Sequence, residues 1–146
     1  MEFLFGKTIS ELHIGDTAYI EKTFTHEDVV AFGNVCLDLN PMHFDEAFAL
    51  KSIFKKRVVH GILTAGLISA VIGMKLPGPG SIYLSQELVF MKPVFIEDRI
   101  RADVIIKEII KEKNTCLIDT ICTNQCGDVV LKGMATVMPP LKTLRQ

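Results

Sequence analysis

The sequence predicts an α+β fold in which one curved antiparallel sheet wraps around a single buried helix. The helix is predicted at residues 61–75, where apolar side chains occupy nearly every side. A helix that is apolar all round has to be buried all round, and this one is too short to span a membrane. Strand-like runs follow it at about 81–91, 94–110, 114–124 and 128–138. Turn residues at Asn114 and Gly127–Asp128 indicate antiparallel hairpins, so the sheet is the available cover for the helix.

The segment before this helix predicts one strand and two shorter helices. A strand is expected at about residues 18–24. Thr25 then offers a helix N-cap, with Asp28 completing an imperfect capping box, and the helix should end near Cys36. Pro41 restricts the residue before it to extended backbone, so an irregular loop is expected at this point. A short helix is expected at 45–53.

Length and composition favour a single domain spanning residues 1–146. The formal net charge is −1, which argues against a nucleic-acid-binding surface. The N-terminus has no basic stretch leading into an apolar run, so no secretory signal is expected. None of the four cysteines forms a C-x-x-C pair, and Cys116 and Cys122 fall in strand-like runs as small apolar residues would. A reduced, cytoplasmic protein without membrane attachment is the expectation.

Two residues of the Pro41 loop carry groups suited to proton transfer. Asp38 and His43 stand five positions apart in D-L-N-P-M-H, after a helix and across a proline bend. Such a loop can direct a carboxylate and an imidazole into one cavity, and histidine titrates near neutrality. The spacing alone is more often found in surface loops where the aspartate stabilises a turn, so it does not establish a function.

Three segments together resemble a known family. They are LDLNPMHFDEAFA, RVVHGILTAGLISAVIG and LPGPGSIYLSQELVFMKPVFIEDRI. The pattern D-x-N-P-x-H-x-D followed by V-H-G is similar to that of the MaoC-like hydratases, and especially the short (R)-specific enoyl-CoA hydratases, from about Thr25 to Val137. The resemblance implies a hot dog fold and a hydro-lyase that reversibly adds water in syn fashion to trans-2-enoyl-CoA, giving (R)-3-hydroxyacyl-CoA.

The resemblance also implies roles for individual residues. Asp38 would be the base that activates water, and His43 the donor of the α-proton. Asn40 would support the site by hydrogen bonding. Gly61 would bind the thioester oxygen through its backbone N–H, which suits the positive end of a helix dipole. His60 is expected to pack or to hydrogen-bond at the start of the helix rather than to transfer protons.

Substrate, cofactor and assembly predictions follow. Lys55, Lys56 and Arg57 are candidates for contact with the CoA phosphates, with a solvated basic turn as the equal alternative. No cofactor or metal is expected, because His43 and Asp45 lack a third ligand at suitable spacing. A homodimer is expected from the open sheet edge and from the family resemblance.

The chain departs from the family pattern at three positions. Close relatives often carry a serine on the buried helix, near the catalytic aspartate, where this chain has Gly66. Cys36 and Leu37 replace the serine and glycine that commonly precede the aspartate. These changes put in question how Asp38 is oriented, and a smaller residue at position 66 would enlarge the acyl tunnel.

Other functions stay open on the sequence alone. The chain could dehydrate 3-hydroxyacyl groups on acyl carrier protein, or act on a branched acyl-CoA. A thioesterase on the same fold is less favoured, and a non-catalytic acyl-CoA-binding subunit is a third class. Acyl chain length, physiological direction and pathway are not determined.

Overall fold

A computed structural model describes residues 4–146. The predicted domain and the N-terminus discussed above begin at residue 1, so their first three residues lie outside the described part of the chain. Six strands and four α-helices form in the order β1 (Thr17–Thr23), α1 (His26–Cys36), α2 (Pro41–Phe44), α3 (Glu46–Leu50), α4 (Gly61–Met74), β2 (Ile82–Gln86), β3 (Val89–Phe90), β4 (Arg99–Ile110), β5 (Thr115–Thr123) and β6 (Val129–Met138).

The strands form one antiparallel sheet in the order β1-β4-β5-β6-β2, with β3 also paired to β6. Side chains of β4 and β5 alternate between buried and more exposed positions, as period-2 strands facing a core should. Helix α4 packs against β4, β1 and β5. The predicted α+β architecture, a sheet against one apolar helix, is confirmed.

The predicted strand boundaries are wrong at two places. The run 81–91 is divided into β2 and β3, with a register shift between Tyr83 and Ser85. The run 94–110 begins as a strand only at Arg99, because residues before it form a turn. In that turn Asp98 accepts a hydrogen bond from the backbone N–H of Phe95 at 2.8 Å, and an aspartate side chain that bonds backbone favours turns over strands.

Helix α1 begins and ends where the sequence predicts. The Thr25 side chain accepts from the Asp28 backbone, and the Asp28 carboxylate accepts from the Thr25 backbone, which completes the capping box. The expected irregular loop is wrong for residues 41–44, which form α2. Pro41 occupies its first turn, where a missing N–H costs nothing, and Asn40 caps it.

The expectation that the apolar helix is buried on every side is also wrong for the protomer. Leu67, Ile68, Val71 and Ile72 are buried under the sheet. Ile62 and Met74 are 59% and 68% exposed, and Gly66 and Ser69 are exposed with them. Positions 62, 66 and 69 lie on one helix face, so the sheet covers one side of α4 and leaves an open face that carries Ile62 and two small residues.

The cysteines behave as small apolar residues. Cys116 and Cys122 are fully buried on β5, and burial raises the pKa of their thiols to about 11 and about 12. Cys36 and Cys126 are exposed free thiols.

Across residues 4–146, no helix is long and apolar enough to cross a bilayer.

Leu37 ends α1 in the left-handed region, with φ 68° and ψ 17°, and is 79% exposed. A non-glycine residue pays roughly 1–2 kcal/mol there, which the greater flexibility of unfolded glycine offsets only in part. We expect Leu37→Gly to raise the free energy of unfolding by about 0.5–1 kcal/mol, measured by urea denaturation.

The matched control is Val35→Gly, which removes an equally exposed side chain from the same helix where φ is helical. That change should lower the free energy of unfolding by about 0.5–1 kcal/mol. The same sign of change in both variants would contradict this account of Leu37.

Candidate active site

One cavity of about 440 Å³ brings together the residues that the sequence singles out. Asp38, His43, His60 and Gly61 all line it, although they come from two segments of the chain. The rest of the wall is mostly apolar: Phe54, Val58, Val59, Ile62, Thr64, Phe90, Met91, Lys92, Pro93, Val94, Val130 and Leu131. The cavity is therefore a largely apolar space with a few polar groups at the start of α4, the usual composition of a small-molecule site.

The imidazole of His43 is held in one orientation. Its Nδ1 lies 2.6 Å from the carbonyl oxygen of Val58, and the residue is only 9% exposed. A carbonyl can only accept, so Nδ1 carries the proton and donates it to Val58. The other nitrogen, Nε2, is left as the lone-pair nitrogen of the neutral ring.

The surroundings of His43 lower its pKa from the ordinary value of 6.5. Desolvation by burial is the largest cause, while the Val58 hydrogen bond acts in the opposite direction. Among the charged and titratable neighbours, His60 and Arg57 lower the pKa and Asp38 raises it. His43 is consequently unprotonated at neutral pH, and Nε2 can accept a proton.

Asp38 lies at the exposed mouth of the site and is fixed mainly through its backbone. Its carbonyl oxygen accepts from Nε2 of His60 at 2.9 Å, and its Oδ1 accepts from the backbone N–H of Asn40 at 3.3 Å. The Asn40 side chain accepts from Met42 and so caps α2. Asn40 thus links the carboxylate of Asp38 to the helix that carries His43.

His60 is buried in the site, where it packs and hydrogen-bonds in the way that the sequence analysis expects. It is 2% exposed, and its ring stacks on that of His43 with centroids 3.8 Å apart and planes at 27°. Phe32 contacts the same ring edge-on, with centroids 4.8 Å apart. Its Nδ1 is buried without a hydrogen-bond partner in the part of the chain that the structure describes. In the sequence, only the position of His60 beside Gly61 indicates a place in the site. Its contacts with Asp38 and His43 are not visible there, because those residues are distant in sequence.

Gly61 is the first residue of α4, as predicted, and faces the cavity. The N–H groups of a first helical turn have no acceptor within the helix. A side chain at this position would compete for space, because an added Cβ would come within 2.5 Å of the Phe90 ring. Glycine therefore keeps the backbone amide open to a ligand while Phe90 covers the α-carbon.

The three basic residues before α4 occupy different settings. Arg57 is turned inward: Nε donates to the His43 carbonyl at 2.8 Å, Nη2 bonds Nδ1 of His26 at 2.9 Å, and Nη1 lies 3.5 Å from Glu46. This placement corrects the expectation of a phosphate contact, since the guanidinium already has protein partners and its side chain is 11% exposed. His26, which follows the N-cap of α1, is one of these partners.

The two lysines are open to solvent. Lys55 and Lys56 are exposed, and the ammonium of Lys56 lies 5.2 Å from the centroid of the Phe95 ring. Lys92, which the sequence did not single out, lines the cavity and lies 3.4 Å from Asp128. Lys92 follows a strand-like run without any local motif, so only the folded chain shows its place beside the cavity.

The polar cluster includes three possible metal ligands. One ligand-type atom from each of Asp38, His43 and His60 lies within 4.8 Å of the others, so His43 has two ligand-type neighbours, although Asp45, which the sequence suggested beside it, is not one of them. The two imidazole planes meet at 27°, and each ring uses one nitrogen to bond a backbone carbonyl, Val58 for His43 and Asp38 for His60.

Gly66 does not line this cavity. It lies on the exposed face of α4 and contributes to a separate cleft of about 340 Å³, with Tyr83 and Leu84 among its neighbours. Gly66 therefore does not widen the cavity that Asp38 lines, and an effect of this residue on the acyl tunnel stays a prediction. Ile62 lines both spaces and forms the wall between them.

Comparison with known proteins agrees with this geometry. The model of the family described as "MaoC like domain" matches residues 13–125. The chain is 43% identical to the (R)-specific enoyl-CoA hydratase of Rhodospirillum rubrum, covering 88% of each protein. It is 44% identical to the 3-hydroxybutyryl-CoA dehydratase of Methylorubrum extorquens, over 90% of this chain and 83% of that one.

The same likeness holds in three dimensions. The solved structure of the (R)-hydratase from A. caviae superposes with a TM-score of 0.86 at 39% identity, over 88% of this chain and 98% of that one. The curved sheet against α4 is accordingly the hot dog fold. A family match across most of the chain and relatives above 40% identity lead to one conclusion: this chain belongs to the MaoC-like domain family.

Proposed function

We propose that the protein is an (R)-specific enoyl-CoA hydratase, which reversibly adds water to trans-2-enoyl-CoA to give (R)-3-hydroxyacyl-CoA. The observation that supports this most directly is the shared cavity. A carboxylate, an imidazole with a free Nε2 and the first amide of a helix surround one apolar space. Hydration of a conjugated thioester uses a site for water, a proton acceptor and a donor for the thioester oxygen.

The roles assigned to Asp38 and His43 follow from the proton on Nδ1 of His43, which leaves Nε2 of the same ring free to accept a proton. Water held between the two side chains attacks the β-carbon while its proton passes to Nε2 of His43. The electron pair of the double bond moves to the thioester as an enolate. His43 then returns the proton to the α-carbon from the same face, which accounts for syn addition. Asp38 orients the water and stabilises the imidazolium, so this order reverses the sequence-based expectation that Asp38 is the base.

Gly61 is proposed to receive the thioester oxygen. Negative charge develops there as the enolate forms, and a backbone N–H at the positive end of α4 stabilises it. The donor, the water site and the proton acceptor all come from this chain, which supports a reaction without a cofactor. Lys55, Lys56 and Lys92 are the cations proposed to meet the CoA phosphates.

A homodimer is proposed from the surfaces left open in the protomer. β2 is an edge strand of the sheet, and Ile82 and Leu84 on it are 55% and 49% exposed. The open face of α4 around Ile62 lies beside them across the second cleft. A second copy covering both would bury apolar surface and pair a free edge. Four free thiols favour a reducing, cytoplasmic setting.

The direct test measures loss of the ultraviolet absorbance of crotonyl-CoA and hexenoyl-CoA, with chiral analysis of the product. We expect turnover, and we expect Asp38→Asn and His43→Gln each to lower kcat by about 10²–10⁴-fold, the usual contribution of a positioned acid–base group. Asp45→Asn and His13→Gln are matched controls that make the same chemical changes outside the cavity, and both should keep kcat within about twofold of wild type.

Other outcomes of this assay point to the other functions. Release of free thiol, detected with a thiol reagent, would identify a thioesterase. Faster turnover of the enoyl group on acyl carrier protein would identify that carrier as the substrate. Binding of acyl-CoA without turnover would contradict the hydratase proposal and support a binding subunit.

The pH dependence tests the order of proton transfer. If His43 starts as the acceptor, activity needs its unprotonated form and is lost as the pH falls through the lowered pKa. The acid limb of kcat/KM should therefore lie below pH 6.5. A profile in which kcat/KM rises as the pH falls would instead mean that His43 must begin protonated, and would contradict this order.

The dimer is tested by sedimentation velocity at several protein concentrations. We expect a dimer for the wild type and a shift toward monomer for Leu84→Glu, which places a charge on the edge strand β2. Ile14→Glu is the control, because Ile14 is 69% exposed before β1 at the opposite edge of the sheet. A monomeric wild type, or equal dissociation of both variants, would contradict the proposed interface.

A further inference from the structure

We infer that His60 is a positioning residue that fixes Asp38 and His43 relative to each other, through a hydrogen bond to one and a ring stack on the other. This inference rests on the proposed function, since it concerns the groups that would transfer the proton. The two contacts belong to different faces of one side chain. The ring edge bonds the Asp38 backbone, and the ring face packs on the His43 imidazole.

The hydrogen bond assigns the proton on His60. Nε2 lies 2.9 Å from the Asp38 carbonyl oxygen, which can only accept, so Nε2 must donate. Nδ1 is then the unprotonated nitrogen, which agrees with its burial away from any donor or acceptor in the described part of the chain.

The stack places the His60 ring against the His43 ring, which is the one proposed to transfer the proton. Centroids 3.8 Å apart leave no room for water between the rings, and Phe32 and Phe44 pack edge-on against His60. His43 therefore has its edge fixed by Val58 and its face fixed by His60. Small displacements of a reacting group lower rates strongly, so a contact that holds both groups is expected to act on kcat more than on binding.

The charged and titratable groups facing His43 come from two segments, the one after α1 and the one that leads into α4. Asp38 follows α1, Arg57 lies in the segment before α4, and His60 lies next to α4. His60 is the one of these that contacts the imidazole face. Removing it takes away a group that opposes a positive charge on His43, while Asp38 and Arg57 stay in place. The titration of His43 should therefore move to higher pH.

Two variants separate the contacts. His60→Phe keeps an aromatic face against His43 and removes the donor to Asp38. His60→Gln keeps a donor and removes the face. We expect each to lower kcat for crotonyl-CoA by at least about tenfold with KM changed less than about threefold, and to move the acid limb of kcat/KM to higher pH.

Phe32→Leu is the control for packing alone. It removes one aromatic neighbour of His60 and leaves Phe44, which also packs edge-on against His60, in place with Asp38 and His43, so thermal stability should fall while the acid limb stays in place. If the His60 variants lose activity only in proportion to stability and leave the acid limb unmoved, as Phe32→Leu does, His60 is structural and the inference is overturned. Wild-type kcat in both variants would overturn it equally.

A second readout does not depend on turnover. Nitrogen-15 NMR of the histidine rings reports the tautomer and titration of His43 in the full-length protein. We expect the His43 midpoint to rise in His60→Phe and to stay unchanged in Phe32→Leu. An unmoved midpoint in His60→Phe overturns the inference even if the hydratase activity is confirmed, and a raised one supports it even if the substrate proves to be another.

Discussion

The hydrogen bond from His43 Nδ1 to the Val58 carbonyl, 2.6 Å long, joins the two halves of the site. On one side of it lies the proline-bent motif, and on the other lies the extended segment that leads into α4. Val58 also donates from its backbone to Met42, and Arg57 donates to the His43 carbonyl. Val59 donates to Val94, which anchors the segment to the chain leading into the sheet. The position of the imidazole relative to Gly61 is therefore set by backbone contacts, which side-chain changes on the surface disturb little.

Burial of α4 determines where this site can be. The sheet covers the side of the helix that carries Leu67, Ile68, Val71 and Ile72, and the first turn emerges at the edge of that contact. An amide at this point is shielded from bulk water by apolar walls and stays open to the cavity. Electrostatic stabilisation by the helix N-terminus is stronger in such surroundings than at an exposed end. The same partial cover leaves the face of α4 around Ile62 open. Because Ile62 lines both the cavity and the second cleft, it connects the site to the proposed interface.

The polar groups of the site are organised by main-chain carbonyls. His43 and His60 each donate one ring N–H to a backbone oxygen, and each keeps one nitrogen without a proton. These bonds fix the ring tautomers without placing a formal charge between them. Burial lowers the pKa of His43, while the Asp38 carboxylate raises it and provides the charge that an imidazolium would need. The arrangement keeps the resting site neutral at the imidazole and ready to stabilise a transient positive charge.

The sequence by itself determined the α+β class, the N-cap of α1, the start of α4 at Gly61 and the closeness of Asp38 and His43 in one short segment. These depend on local backbone preferences, on apolar periodicity and on a motif of adjacent residues. Only the tertiary structure decided what His60, Arg57 and Gly66 contact, because their partners are Asp38, His43 and the β2 segment, distant in sequence. It also decided that one face of α4 stays open. Apolar composition shows that a surface has to be buried, and the direction in which the sheet curves determines which face the same chain can reach.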